Sequence, residues 1–226
     1  MTADLMRTPC LCVLAAALTA LVAPGAAAVR AQGPPPPIPR VAIDLRGTLP
    51  RFTVEPQLAE SQNVLPEELP ILGIGGDGNL NFYLFKWKAV TVGIGGQATF
   101  ARGSVAPKGE TIAGQPTLRG VTEWFQAGTG QLSFNFGDGD GWSYISGGMG
   151  IAQRSIVPDG EEVTATDEER LRSVNYGGGA RWFIKSHLAF TLDVRFHQID
   201  PGTPRNGLPG TPRSTFFFVG AGISIK

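Results

Sequence analysis

The sequence predicts an all-β chain folded as an eight-stranded antiparallel up-and-down transmembrane β-barrel. Three observations predict it. Eight segments alternate apolar and polar residues with period two, which gives each strand one apolar and one polar face. The connections between them alternate in length, tight then long. The apolar faces of the central strands carry no Lys, Arg, Asp or Glu, and at mid-membrane such a charge would cost about 2–4 kcal/mol.

The first 31 residues read as an export signal. Arg7 precedes an apolar run from Leu11 to Val22, small residues follow to Ala28, and Val29-Arg30-Ala31 offers a small-x-small cleavage site. Pro24-Gly25 would interrupt a membrane-spanning helix there. Both cysteines, Cys10 and Cys12, fall inside this segment, so neither disulfides nor cysteine metal sites are expected in the exported chain. Removing Asp4, Arg7 and Arg30 from 19 basic and 19 acidic residues leaves 17 and 18, and no basic excess points to nucleic acid. Residues 32–39, containing the run GPPPPIP, form a proline-rich linker that is extended rather than helical. Residues 40–226 then supply one domain. Its many glycines and low charge suit a turn-rich all-β fold, and a brief helical period is confined to Glu161–Arg172.

The strands follow in order. The first, Arg40–Leu49, sets Val41, Ile43 and Leu45 against Ala42, Asp44 and Arg46. The second, Ile71–Phe85, sets Leu80, Phe82 and Leu84 against Asp77, Asn79, Asn81 and Tyr83. The third, Val90–Phe100, has Val92, Ile94, Ala98 and Phe100 opposite Thr91, Gly95, Gln97 and Thr99. The fourth, Glu123–Phe136, ends with Leu132, Phe134 and Phe136 opposite Gln131, Ser133 and Asn135. The fifth, Trp142–Arg154, presents Ile145, Met149 and Ile151. The sixth, Ser173–Ile184, sets Tyr176, Ala180 and Trp182 against Asn175, Gly177, Gly179 and Arg181. The seventh, Leu188–His197, is the clearest, with Leu188, Phe190, Leu192, Val194 and Phe196 opposite Thr191, Asp193, Arg195 and His197. The eighth, Thr215–Lys226, sets Phe217, Val219, Ala221, Ile223 and Ile225 against Gly220, Gly222 and Ser224.

Tight turns follow strands two, four and six, at Lys86–Lys88, Gly137–Gly141 and Lys185–His187. Long loops rich in Pro, Gly or charge follow the odd strands, at Pro50–Pro70, Ala101–Thr122, Ser155–Arg172 and Gln198–Ser214. A membrane barrel needs this asymmetry, with tight periplasmic turns and variable external loops, whereas nothing forces it on a soluble sandwich. Trp87, Trp142 and Trp182 lie near the tight turns and are expected to form an interfacial girdle.

These features together, with phrases such as Tyr176-Gly-Gly-Gly-Ala-Arg-Trp182 followed by Leu188–His197, resemble the small OmpA-type and OmpW-type outer-membrane β-barrels over residues 40–226. The resemblance implies residence in a bacterial outer membrane, contact with its lipid and insertion by the barrel-assembly machinery. It also raises a narrow conduit for small or hydrophobic solutes. Such chains commonly end on an aromatic. This one ends Ile223-Ser224-Ile225-Lys226, so either Ile225 takes that role or the insertion signal is weaker.

An eight-stranded barrel is just wide enough for its inward side chains to fill it. The polar faces supply Asp44, Arg46, Asn81, Gln97, Asn135, Arg181, Asp193 and Arg195, with Asp77, Asn79, Gln131 and Arg154 beside them. Both signs of charge are present, so a paired, hydrogen-bonded plug is expected. The glycines of Gly147-Gly148 and Gly177–Gly179 would either leave room for a path or let the sheet curve. His197 is expected at the outer rim, hydrogen-bonded in the ordinary way. Gly137–Gly141 reads as a hairpin turn needing no metal, and the acidic stretches around Glu161 and Glu168 as a solvated loop. No catalytic residue, metal or cofactor is expected. The sequence thus predicts a monomeric, non-catalytic barrel with an envelope-structural or surface-interaction role. The alternatives are a solute conduit and a soluble periplasmic sandwich or lipocalin-like binder.

Overall fold

Alternation alone would allow either a sandwich or a closed barrel, and the hydrogen-bonded register decides between them. In the computed structural model, which describes residues 36–106, 118–205 and 207–226, eight strands pair in sequence order and β8 closes onto β1. The strands are β1 (Val41–Arg51), β2 (Gly73–Trp87), β3 (Val90–Val105), β4 (Val121–Asp138), β5 (Gly141–Pro158), β6 (Arg170–Phe183), β7 (Leu188–Ile199) and β8 (Ser214–Ile225). Closure rests on Ile43 opposite Ile225 and Arg51 opposite Phe217, and every neighbouring pair is antiparallel. The signal segment, both cysteines and the start of the proline-rich linker lie outside the described residues.

The strands run farther toward the long loops than the sequence predicts, with β3 continuing from Phe100 to Val105 and β5 from Arg154 to Pro158. Apolar alternation fades once a strand leaves the hydrocarbon, but backbone pairing does not need it. Helix appears elsewhere than expected. Glu161–Arg172 forms turns leading into β6, whereas the loop after β1 holds helix α1 (Pro56–Ser61) and a 3₁₀ turn at Pro66–Glu68. Proline opens both, where its missing N–H costs nothing, and both are too short for periodicity to reveal.

The apolar faces point outward. Ile43, Leu45, Leu80, Phe82, Ile94, Leu132, Phe134, Ile145, Met149, Phe190, Val219 and Ile223 are all exposed, forming a continuous belt around the barrel. A soluble protein does not expose so large an apolar surface, and the strands, 11 to 18 residues long, meet or exceed the 9–11 needed to cross a bilayer. This excludes the inward-facing sandwich. The expected aromatic girdle needs one correction. Trp87 and Trp182 are 66% and 42% exposed near the tight-turn rim, but Trp142 is 2% exposed and points into the barrel. It stands three residues before outward-facing Ile145, so strand parity itself puts it on the inner face.

Candidate functional site

The interior is filled in layers from the tight-turn end upward. At the floor, Trp142 stacks on Phe183 at 5.1 Å and meets Tyr83 edge-on at 5.8 Å. Ala42 and Ile38 pack with them, so the last residues of the proline-rich linker lie against the barrel floor. Pro36 accepts a hydrogen bond from the Gly139 N–H at 2.6 Å, and the Lys226 ammonium reaches the Gly139 carbonyl from above Phe183.

Above this lies a layer of three arginines and three aspartates. Arg181 donates to both oxygens of Asp44, at 2.8 and 2.5 Å. Arg46 grips Asp77 through Nε and Nη2, at 3.0 and 2.6 Å. Arg195 grips both oxygens of Asp193, each at 3.0 Å. Tyr144 joins the pairs, accepting from Arg46 at 2.9 Å and donating to Asp193 at 2.6 Å. Arg181 also lies over the Tyr144 ring at 4.2 Å. Bidentate pairing suits the fixed guanidinium fork, although the Arg181 Nη1 has no hydrogen-bond partner among the described residues, and equal numbers of each sign leave no buried charge uncompensated in this layer. Amides extend it: upward, Gln131 donates to Gln97 and Asn175 donates to Thr129 at 2.7 Å, while toward the tight turns Asn135 donates to the Thr91 carbonyl at 3.0 Å. Asn81 reaches Asp44 at 3.4 Å.

Gly148 and Gly177–Gly179 mark close approaches of neighbouring strands rather than a path. A Cβ on Gly148 would strike the Gly130 carbonyl oxygen, and one on Gly179 would strike Leu192 O and lie 2.7 Å from the Tyr144 hydroxyl. Higher still, Phe52, Phe125, Phe216, Phe218 and Ile199 form an apolar layer. Phe125 sits 4.7 Å from Phe216 and 5.6 Å from Phe218. Set into it is a fourth ion pair, Arg154 to Glu123 at 2.8 Å, with Arg154 also donating to Ser214 and to the Thr53 carbonyl. Sequence reasoning missed Glu123, Tyr144 and Ser146 as lumen residues, although extending each strand's parity would have found them. His197 differs from expectation too. It is 1% exposed, packed 5.4 Å from Phe125 and 5.1 Å from Phe218, with no hydrogen bond to either ring nitrogen among the described residues. The aromatic layer, not the rim, surrounds it.

A lid completes the filling. Leu58, Ala59, Val64 and Leu69 of the loop after β1 pack on Val121 and Ile156, inward-facing residues at the outer ends of β4 and β5. Helix α1 therefore lies over the barrel mouth. Arg119 clamps it: its N–H donates to Glu68 at 2.6 Å, and its guanidinium reaches the Asn63 carbonyl at 2.8 Å and Glu161 at 2.7 Å. Burial pushes the Glu68 carboxyl up. The N–H bonds from Arg119 and Leu65 and the Arg119 charge outweigh that and hold it below the usual glutamate value. The acidic loop is likewise less solvated than its composition suggests. Asp167 accepts from the Ile156 N–H at 2.7 Å and the Thr164 hydroxyl at 2.6 Å, and Glu169 accepts from Thr203 at 2.6 Å, joining the last two long loops.

Neisserial surface protein A superposes on this chain with a TM-score of 0.51 and 7% identity, covering 83% of this chain and 97% of the other. The fold is that of the small outer-membrane β-barrels. Ail, the attachment invasion locus protein of Yersinia pestis, solved in complex with the heparin analogue sucrose octasulfate, gives 0.47 at 12% identity over 82% and 97%. OprG, an outer-membrane protein of Pseudomonas aeruginosa, gives 0.40 at 11% over 84% and 97%. At such identities the likeness is one of fold. No family model and no curated sequence matches the chain. Within this outer-membrane barrel fold, the two surfaces open to partners are the lipid-facing wall and the clamped loop platform.

Proposed function

We propose that this protein is a closed, non-catalytic barrel of a bacterial outer membrane whose loop platform is its working surface, in an envelope-structural or surface-interaction role. The observation that carries this reading is the filled lumen. An aromatic floor, a charge-balanced layer, an apolar layer and a clamped lid succeed one another along the axis, which argues against a solute conduit. Polar groups buried this completely hold strand register rather than meet a substrate. Meanwhile the loops are tied to one another by Arg119 and Glu169, giving a preorganised surface that loses little entropy on binding a partner.

The test has two parts. Envelope fractions run on gels with and without boiling should show outer-membrane partitioning and a heat-dependent mobility shift. The refolded protein in planar bilayers should then give no stepwise conductance. Recovery in the soluble periplasm would sink the membrane assignment, and steady channel openings would replace the surface role with the conduit.

A further inference from the structure

The lipid-facing wall is not uniformly studded with large side chains. Three adjacent hydrogen-bonded rows of outward residues cross β1 to β6: Gly47, Gly76, Phe100, Gln126, Gln153 and Arg170 in the first; Leu45, Gly78, Ala98, Gly128, Ile151 and Arg172 in the second; Ile43, Leu80, Gly96, Gly130, Met149 and Val174 in the third. Gly47, Gly76, Gly78, Gly128 and Ala98 form the floor of a hollow of about 880 Å³, which adjoins a second of about 570 Å³ lined by Gly78, Gly96 and Ala98. The chain does not require glycine on this floor. A Cβ built on Gly128 or Gly130 meets nothing within 4 Å, in contrast to Gly148 on the inner face. Glycine weakens a strand by roughly 0.5–1 kcal/mol relative to alanine, so here it keeps the wall hollow at a cost that internal packing does not explain.

The upper edge of the hollow is polar and basic. Gln126, Gln153 and Arg170 stand side by side on the outward face, with Arg172 below Arg170, and neither arginine has a carboxylate partner among the described residues. Glu169, beside them in sequence, is turned to Thr203 instead. Gln153 lies eleven residues along β5 from Trp142; at about 3.3 Å per residue and a 35–45° tilt, that is about 25–30 Å above the tight-turn rim. This is the depth of the outer interface of a ~30 Å hydrocarbon layer. The hollow thus sits within the outer leaflet, with cationic and amide groups at headgroup level and a bare backbone floor at acyl-chain level.

Resting on the membrane-spanning reading above, we propose that this hollow is a docking site for one molecule of lipid A, the phosphorylated and acylated glycolipid of the outer leaflet. A phosphate meets Arg170 and Arg172, the sugar hydroxyls meet Gln126 and the Oε1 of Gln153, whose amide nitrogen is held by the Asp167 carbonyl at 2.9 Å, and an acyl chain lies on the glycine floor. Phosphate–guanidinium pairing at a partly desolvated interface supplies the specificity.

Native mass spectrometry of the full chain, refolded in detergent with hexa-acylated lipid A or with dioleoylphosphatidylglycerol, tests this directly. The expected result is a single lipid A adduct with weak phosphatidylglycerol binding. Occupancy should fall about tenfold both in the Arg170→Gln/Arg172→Gln variant and in Gly128→Leu, which removes the floor without touching the charge. The boiling-dependent mobility shift reports that each variant is folded. No adduct, equal retention of both lipids, or a protein dimer that Gly128→Leu abolishes would each overturn the proposal while leaving the barrel assignment standing. Loss of the mobility shift in the unaltered protein would instead overturn the barrel assignment itself.

Discussion

Asp44 and Arg181 face each other across the lumen, 137 residues apart in sequence, and are joined by two hydrogen bonds. Removing one partner leaves a buried charge uncompensated, so Asp44→Ala should cost about 3–5 kcal/mol, read as a lower urea midpoint for unfolding in vesicles. The double variant Asp44→Ala/Arg181→Met should recover much of that loss, because no orphaned charge remains; an additive double variant would show the pair to be uncoupled. Trp142 and Trp182 make a second contrast from nearly equivalent sequence positions. Truncating buried Trp142 to Ala should cost about 3–5 kcal/mol through its contacts with Tyr83 and Phe183, and Trp182→Ala distinctly less, in the same unfolding assay. Individual polar residues were legible because strand parity is strict: the structure places Asp44, Arg46, Asn81, Gln97, Asn135, Arg181, Asp193 and Arg195 on the inner wall. Trp142 lies beside a turn, where an interfacial residue is expected, but its strand parity turns it inward. The missing partners of His197 were not legible at all, since what surrounds an inward residue depends on shear and on which side chains fill the layer.

Loops and strands differ sharply in how much their sequences announce. A strand states its inner and outer faces every second residue, so the eight strands stand out with end errors of a few residues where the chain leaves the membrane. Helix α1 and the 3₁₀ turn beyond it announce little. Their apolar residues, Leu58, Val64 and Leu69, have meaning only against Val121 and Ile156, far along the chain at the outer ends of β4 and β5. Glu68 fastens this element, and its lowered pKa fixes the sign of a pH effect. A carboxylate held below its unfolded value contributes stability that is present above that value and lost as pH falls through the folded one. The lid should therefore loosen on acidification from about pH 4.5 downward, seen as faster amide exchange in residues 56–69 while the strands stay protected. Glu68→Gln should bring the fast-exchanging state to neutral pH, with a loss of about 1–3 kcal/mol in local opening free energy. Unchanged exchange in that variant would mean that apolar packing alone holds the lid.

At the scale of the whole molecule, closure comes from stacked layers, each built from its own set of residues. The floor is built from Trp142, Phe183, Tyr83 and Ile38, and the charged layer from β1, β2, β5, β6 and β7. The apolar layer comes from β4, β7 and β8 with Phe52, and the lid from the loop after β1. A barrel gated by its lid alone would open when that lid is removed. This one should not, because the Arg154–Glu123 pair, the phenylalanine layer and the three arginine–aspartate pairs still occupy the cross-section beneath. Replacing residues 54–70 with a short Gly-Ser link should therefore leave the protein heat-modifiable and non-conducting in planar bilayers, while loosening the loops that Arg119 and Glu68 join. Stepwise ohmic conductance in that deletion, absent from the unaltered protein, would mean that the layers below yield once uncovered. The lid would then be the gate of a channel rather than one part of a binding platform.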